Sequence, residues 1–96
     1  MTIERLDDST IESRLRELPE WTRSGDAIER SLQFDSFLDA ISFINRIADL
    51  AEEADHHPEI FNVYDTVKLT LTTHDADGLT NKDFQLAAQI DGEVLG

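Results

Sequence analysis

The stretch SFLDAISFINRIADLAEEADHHPEIFNVYDTVKLTLTTHDADGLTNKD, residues 36–83, decides the fold. Its first part repeats apolar residues at helical intervals. Phe37, Ile41, Ile44, Ala48 and Ala51 form one stripe, and Leu38, Phe43, Ile47 and Leu50 widen it. Spacings of three and four place such residues on one side of a helix. The pattern predicts a helix over about 36–54, capped by Asp35 or Ser36, with a stripe broad enough for burial on more than one side. His56-His57-Pro58 ends it, because the residue before a proline is pushed out of helical angles. The period then drops to two. Ile60 to Tyr64 reads as one strand. Val67 to Thr73 reads as the next, with Val67, Leu69 and Leu71 alternating against Lys68, Thr70 and Thr72. Asp75-Ala76-Asp77-Gly78 is a loop. Thr80-Asn81-Lys82-Asp83 has the pattern of a capping box and opens a last helix, whose apolar positions are Phe84, Leu86, Ala87, Ala88 and Ile90.

Working back towards the N-terminus, Ile11, Leu15 and Leu18 mark a short helix that Pro19 closes. Ser9 or Thr10 is its expected cap, with Glu12 completing a capping box from Ser9. Trp21-Thr22-Arg23 and Ala27 to Phe34 flank the turn cluster Ser24-Gly25-Asp26 and read as a hairpin. Arg30 is the misfit on the apolar parity of Ile28, Leu32 and Phe34. The element order is therefore α-β-β-α-β-β-α. Paired hairpins favour an α+β fold, a four-stranded antiparallel sheet covered on one face by helices, in a single domain spanning 1–96.

Composition narrows the class of partner. Of 96 residues, 21 are Asp or Glu and 8 are Lys or Arg, for a net charge of −13. Only Lys68 and Lys82 are lysines. Binding to nucleic acid or an anionic membrane needs basic surface, so neither is expected. Disorder would suit such acidity, but 40% hydrophobic residues in clear periods oppose it. No apolar run approaches the ~20 residues of a membrane span. The start, MTIERLDDST, lacks the basic and apolar regions of a signal peptide. A cytoplasmic protein is the expectation. There is no cysteine, so neither disulfides nor thiolate metal sites support the core, and association between copies is the remaining common support.

All three histidines, His56, His57 and His74, fall within 19 residues, among Glu52, Glu53, Asp55, Glu59, Asp75, Asp77 and Asp83. Histidine exchanges protons near neutral pH, and a neighbouring carboxylate orients its ring. Several readings of the residues stand side by side. A His pair at a helix C-terminus serves as a cap favoured by the dipole. Zinc is a second reading, opposed by the diverging directions of adjacent histidines and the absence of cysteine. Acid–base chemistry is the third. Asp83 reads equally as a helix cap, and Trp21 as core. Glu52, four residues before His56, would share its helix face.

The segment Glu52 to Asp83 resembles the pterin-4a-carbinolamine dehydratases. Their signature is an acidic or similar residue, three intervening residues, His-His-Pro, an aromatic, a His or Trp, and an Asp. Glu52, His56, His57, Pro58, Tyr64, His74 and Asp83 meet it at the right spacing. A looser similarity runs from Trp21, in the context WTRSGDAI, to about Ile90. The resemblance implies dehydration of a 4a-hydroxytetrahydropterin to the quinonoid dihydropterin, with no metal and no redox cofactor, in pterin cofactor recycling. It implies His56 and His74 as the acid–base pair, with His57 orienting the pterin. Glu52 and Asp55 would orient a histidine or bond the ring, and Thr72 and Thr73 would offer backbone groups to the pterin edge. Asp83 would lie near His74, and Trp21 near the site. Many relatives carry tryptophan where this chain has Ile60, which implies less stacking area.

The resemblance also implies a homodimer or homotetramer, with sheets joined edge to edge and central helices packed together. Two other functions fit the resemblance: a pterin-related role in molybdopterin metabolism, and a non-catalytic dimerisation module. The acidity itself suggests a surface adapted to high salt, where the Debye length of about 3 Å at 1 M screens self-repulsion.

Overall fold

Alternation in two strands, β2 (Ala27–Gln33) and β4 (Thr66–Leu71), sets which side of the sheet is buried. The computed structural model describes residues 4–95; residues 1–3 of the MTIERLDDST stretch lie outside the described residues. The other elements are α1 (Asp8–Arg16), β1 (Thr22–Ser24), α2 (Phe37–Ala54), β3 (Glu59–Val63) and α3 (Asn81–Leu95), with one 3-10 turn, His74–Ala76, between β4 and α3. The sheet order is β1-β2-β4-β3, every neighbour antiparallel.

In the β2–β4 register Ile28 faces Leu71 and Leu32 faces Val67, and all four are buried. Residues at alternate positions share a face. Ala40, Phe43, Ile47 and Ala51 of α2 and Phe84, Leu86, Ala87 and Ile90 of α3 complete this core. The other face carries Glu29, Ser31, Lys68 and Thr70, with a Lys68–Glu29 ion pair of 3.4 Å. The helices thus cover one face of an α+β sheet. No helix among the described residues is long and apolar enough to cross a membrane.

Arg30 sits on the covered face opposite Leu69, where the alternation alone demands an apolar residue. Its guanidinium pairs with Asp91 of α3, and the Asp91 carboxylate also accepts the Trp21 indole N–H at 2.8 Å. The charge is therefore neutralised at the junction of sheet and helix rather than buried alone.

Three local readings are corrected. Asp7, not Ser9 or Thr10, caps α1, accepting the Thr10 N–H at 2.8 Å. Aspartate is as good a cap as serine, so the helix starts earlier. The buried stripe of α2 is Ala40-Phe43-Ile47-Ala51, while Phe37 and Ala48 are exposed. Packing against α3 and β4, and Phe34 tilted against Phe43 with ring centroids 5.0 Å apart, selects that face among the apolar positions. Finally, β3 stops at Val63 because Tyr64 turns left-handed (φ 51°). β4 stops at Leu71, because Thr73 leaves the sheet to bridge Gly78.

That bridge shapes the loop carrying His74. The N-terminal segment crosses over it, with the Leu6 N–H donating to the Leu79 carbonyl at 2.8 Å. A Cβ at Gly78 would lie 2.7 Å from Nε of the exposed Arg5 side chain, which would have to swing aside to admit it.

Candidate active site

His56 and His57 leave α2 in different directions because Asp55, between helix and histidines, is left-handed (φ 51°, ψ 43°). The Asp55 N–H donates to the Glu52 carbonyl at 3.2 Å and the His56 N–H to the Ala51 carbonyl at 3.1 Å. This is a Schellman closure with aspartate in the place usually held by glycine. It turns the His56 ring inward, to 10% side-chain exposure, and leaves that of His57 at 57%.

The inward ring meets α3. His56 Nε2 lies 2.6 Å from Oδ1 of Asp83, whose side chain is fully buried. Asp83 stands in the first turn of α3, and its Oδ2 accepts the Thr80 N–H at 3.0 Å, closing the capping box. The same oxygen accepts the Thr73 hydroxyl at 2.8 Å. The Thr73 and Thr80 hydroxyl oxygens are 2.8 Å apart, and Thr80 Oγ1 accepts the Lys82 N–H at 3.2 Å. Asp83 is thus both the cap and the partner of a histidine. That histidine is His56, not His74 as the resemblance implied.

The outward ring of His57 is 2.8 Å from Oε1 of Glu52. Leaving the helix at Asp55 moves the residue facing Glu52 from His56 to His57. Both groups are exposed, so the pair orients the ring more than it stabilises the fold.

His74 reaches the site from the end of β4. It opens the 3-10 turn after β4, held by the Ala76 N–H on the Thr73 carbonyl and the Asp77 N–H on the His74 carbonyl, both 3.1 Å. His56, His57 and His74 line one cleft of about 260 Å³ together with Asp55, Thr72, Thr73, Asp75 and Lys82. A second hollow, lined by Asp26, Ala27, Asp77 and Gly78, adjoins it across Thr72 and His74.

Six expected site residues therefore share the cleft: Asp55, His56, His57, Thr72, Thr73 and His74. Glu52 and Asp83 act on its histidines from behind. Trp21 stands apart in the core, bonded to Asp91. The Thr73 N–H is engaged by the Gly78 carbonyl at 3.1 Å, and the Thr72 hydroxyl donates to the Asp26 carbonyl at 2.6 Å. Lys82 was missed as a lining residue. Its place beside Asp83 at the start of α3 was the only signal. Among the described residues, no group of three or more His, Cys, Asp or Glu is arranged to hold a metal ion.

The cleft is a small polar site offering three imidazoles, two of them oriented by carboxylates. Such a set suits proton transfer to and from a bound molecule. The sequence profile of the family described as Pterin 4 alpha carbinolamine dehydratase matches residues 4–93. The chain belongs to that family. It is 52% identical to a provisionally named pterin-4-alpha-carbinolamine dehydratase of Thermomicrobium roseum over 90% of this chain and 92% of the relative. Another, of Nocardia farcinica, is also 52% identical, over 95% and 96%. The crystal structure of a transcriptional coactivator/pterin dehydratase from Brucella melitensis superposes with a TM-score of 0.90 at 38% identity, covering 94% of this chain and 98% of that one. A pterin dehydratase-like RuBisCO assembly factor of the alpha-carboxysome shares the fold, with a TM-score of 0.61 at 24% identity over 76% and 84%.

Proposed function

We propose that this protein removes water from a 4a-hydroxytetrahydropterin, giving the quinonoid dihydropterin in the recycling of a pterin cofactor. The observation that carries the reading is the convergence of His56, His57 and His74 on one cleft, with Asp83 and Glu52 holding two of them. In the reaction the C4a–O bond breaks, the N5–H bond breaks, and a C4a=N5 double bond forms. One group must give a proton to the departing hydroxyl and another must take the N5 proton. His56 and His74, both lining the cleft, are assigned as this pair. His57 orients the pterin, with Asp55 at the rim. Each acid–base group contributes about 10²–10⁴-fold in rate, and positioning of the planar substrate supplies more.

The test is the rate at which 4a-hydroxytetrahydropterin loses water with and without the protein. Acceleration in proportion to enzyme supports the reading. A folded protein that leaves the spontaneous rate unchanged refutes it.

The exposed apolar residues Ile60, Phe61, Val63 and Tyr64 lie along and just beyond the edge strand β3, and Phe37 and Leu38 open α2. An uncovered apolar edge invites pairing with another strand. We assign it to a second copy of the chain, in a homodimer or homotetramer. The same fold serves as an assembly factor in one relative, but the carboxylate-held histidines favour catalysis here.

A further inference from the structure

We propose that Thr73 and Thr80 are positioning residues of the reaction: their hydroxyls form a one-way hydrogen-bond chain that ends on Asp83 and holds its carboxylate as the acceptor that puts the proton of His56 on Nε2. The role in catalysis rests on the dehydratase reading; the tautomer does not.

The direction of the chain follows from counting protons. The Lys82 N–H can only donate, so Thr80 Oγ1 accepts from it. The Thr80 N–H can only donate as well, to Oδ2 of Asp83. Asp83 lies in the first turn of α3, where the helix dipole favours the anion, and a carboxylate only accepts. The single hydroxyl proton of Thr73 therefore points at Asp83 Oδ2. Thr73 has no second proton for Thr80, so the Thr80 hydroxyl donates to Thr73. Every proton in the chain points towards Asp83.

The remaining oxygen, Oδ1, faces His56 Nε2 at 2.6 Å. Against an acceptor, Nε2 must carry the hydrogen. The neutral ring is then the Nε2–H tautomer, and Nδ1 is the nitrogen left to exchange a proton with substrate. When His56 takes a proton, the imidazolium faces a carboxylate already held by two other donors. Side chains of Thr73, Thr80 and Asp83 are all buried, so water cannot replace a deleted hydroxyl at Asp83. Neither threonine belongs to the histidine signature, and Thr80 lines no part of the cleft.

Two measurements test this. Long-range ¹H–¹⁵N NMR of the wild type, at a pH where His56 is neutral, should show the proton on Nε2; a proton on Nδ1 overturns the proposal without any variant. Thr73→Val and Thr80→Val keep the side-chain shape and remove the hydroxyl. Each should lower kcat about tenfold and leave KM nearly unchanged while the His56 proton stays on Nε2, with Thr73→Ser restoring kcat. Folded valine variants with unchanged kcat overturn it. If the wild type proves inactive, the dehydratase reading fails while the wild-type tautomer still decides the direction of the bond between His56 and Asp83.

Discussion

Asp83 holds the N-terminus of α3 and the ring of His56 with the same carboxylate. Replacing it with asparagine keeps a side-chain oxygen for the cap but offers an amide to His56. The expected outcome for Asp83→Asn is a folded protein whose kcat falls about 10²-fold or more, read by steady-state kinetics beside circular dichroism. Arg30 makes a purely structural contrast. Arg30→Met removes one partner of Asp91 and leaves the Trp21 N–H as the other. Thermal melts should show a loss of about 1–3 kcal/mol, with kcat unchanged. Both residues were conspicuous in the sequence, one as part of a signature and one as a misfit. Their partners were not, because Arg30 and Asp91 are 61 positions apart and His56 and Asp83 are 27 apart. Periodicity carries no information about such pairs.

Among the elements, the ends follow local chemistry, and two of them make predictions. Hydrogen bonds from Thr10, through its side chain and its backbone N–H, hold the Asp7 carboxyl below its usual value of 3.8. A carboxyl lowered in the folded state adds stability above its unfolded value and loses it as the pH falls through the folded one. Asp7→Ala should therefore lower Tm at pH 7, and the gap from wild type should close in strong acid; a gap constant with pH contradicts the cap. Asp55→Gly relieves a left-handed non-glycine residue and should raise or preserve Tm, whereas Asp55→Val should lower it by about 1 kcal/mol or more in stability. The helix and strand periods and the end of α2 near Ala54 were legible, but the left-handed Asp55, not the proline, makes that end. The rotation of α2 was not. Its apolar positions exceed what one face can bury, and contact with α3 and β4 makes the choice.

For the molecule as a whole, charge and fold answer different questions. Twenty-one acidic residues face eight basic ones, and pairs such as Arg23–Asp8 and Arg46–Glu93 are partly solvent-exposed and weak. Most carboxylates repel one another across the surface. Screening at 1 M salt, where the Debye length is about 3 Å, should raise Tm relative to 0.05 M; a flat or falling Tm contradicts a salt-adapted surface. Light scattering should find a dimer or tetramer at micromolar concentration, and a stable monomer would leave the β3 edge without its assigned partner. The function rests on neither property but on the cleft. The most direct measurement is the rate of 4a-hydroxytetrahydropterin dehydration by the wild type and by His56→Ala/His74→Ala. A fast wild type and a folded double variant near the spontaneous rate are the expected result. A double variant as active as the wild type would contradict it.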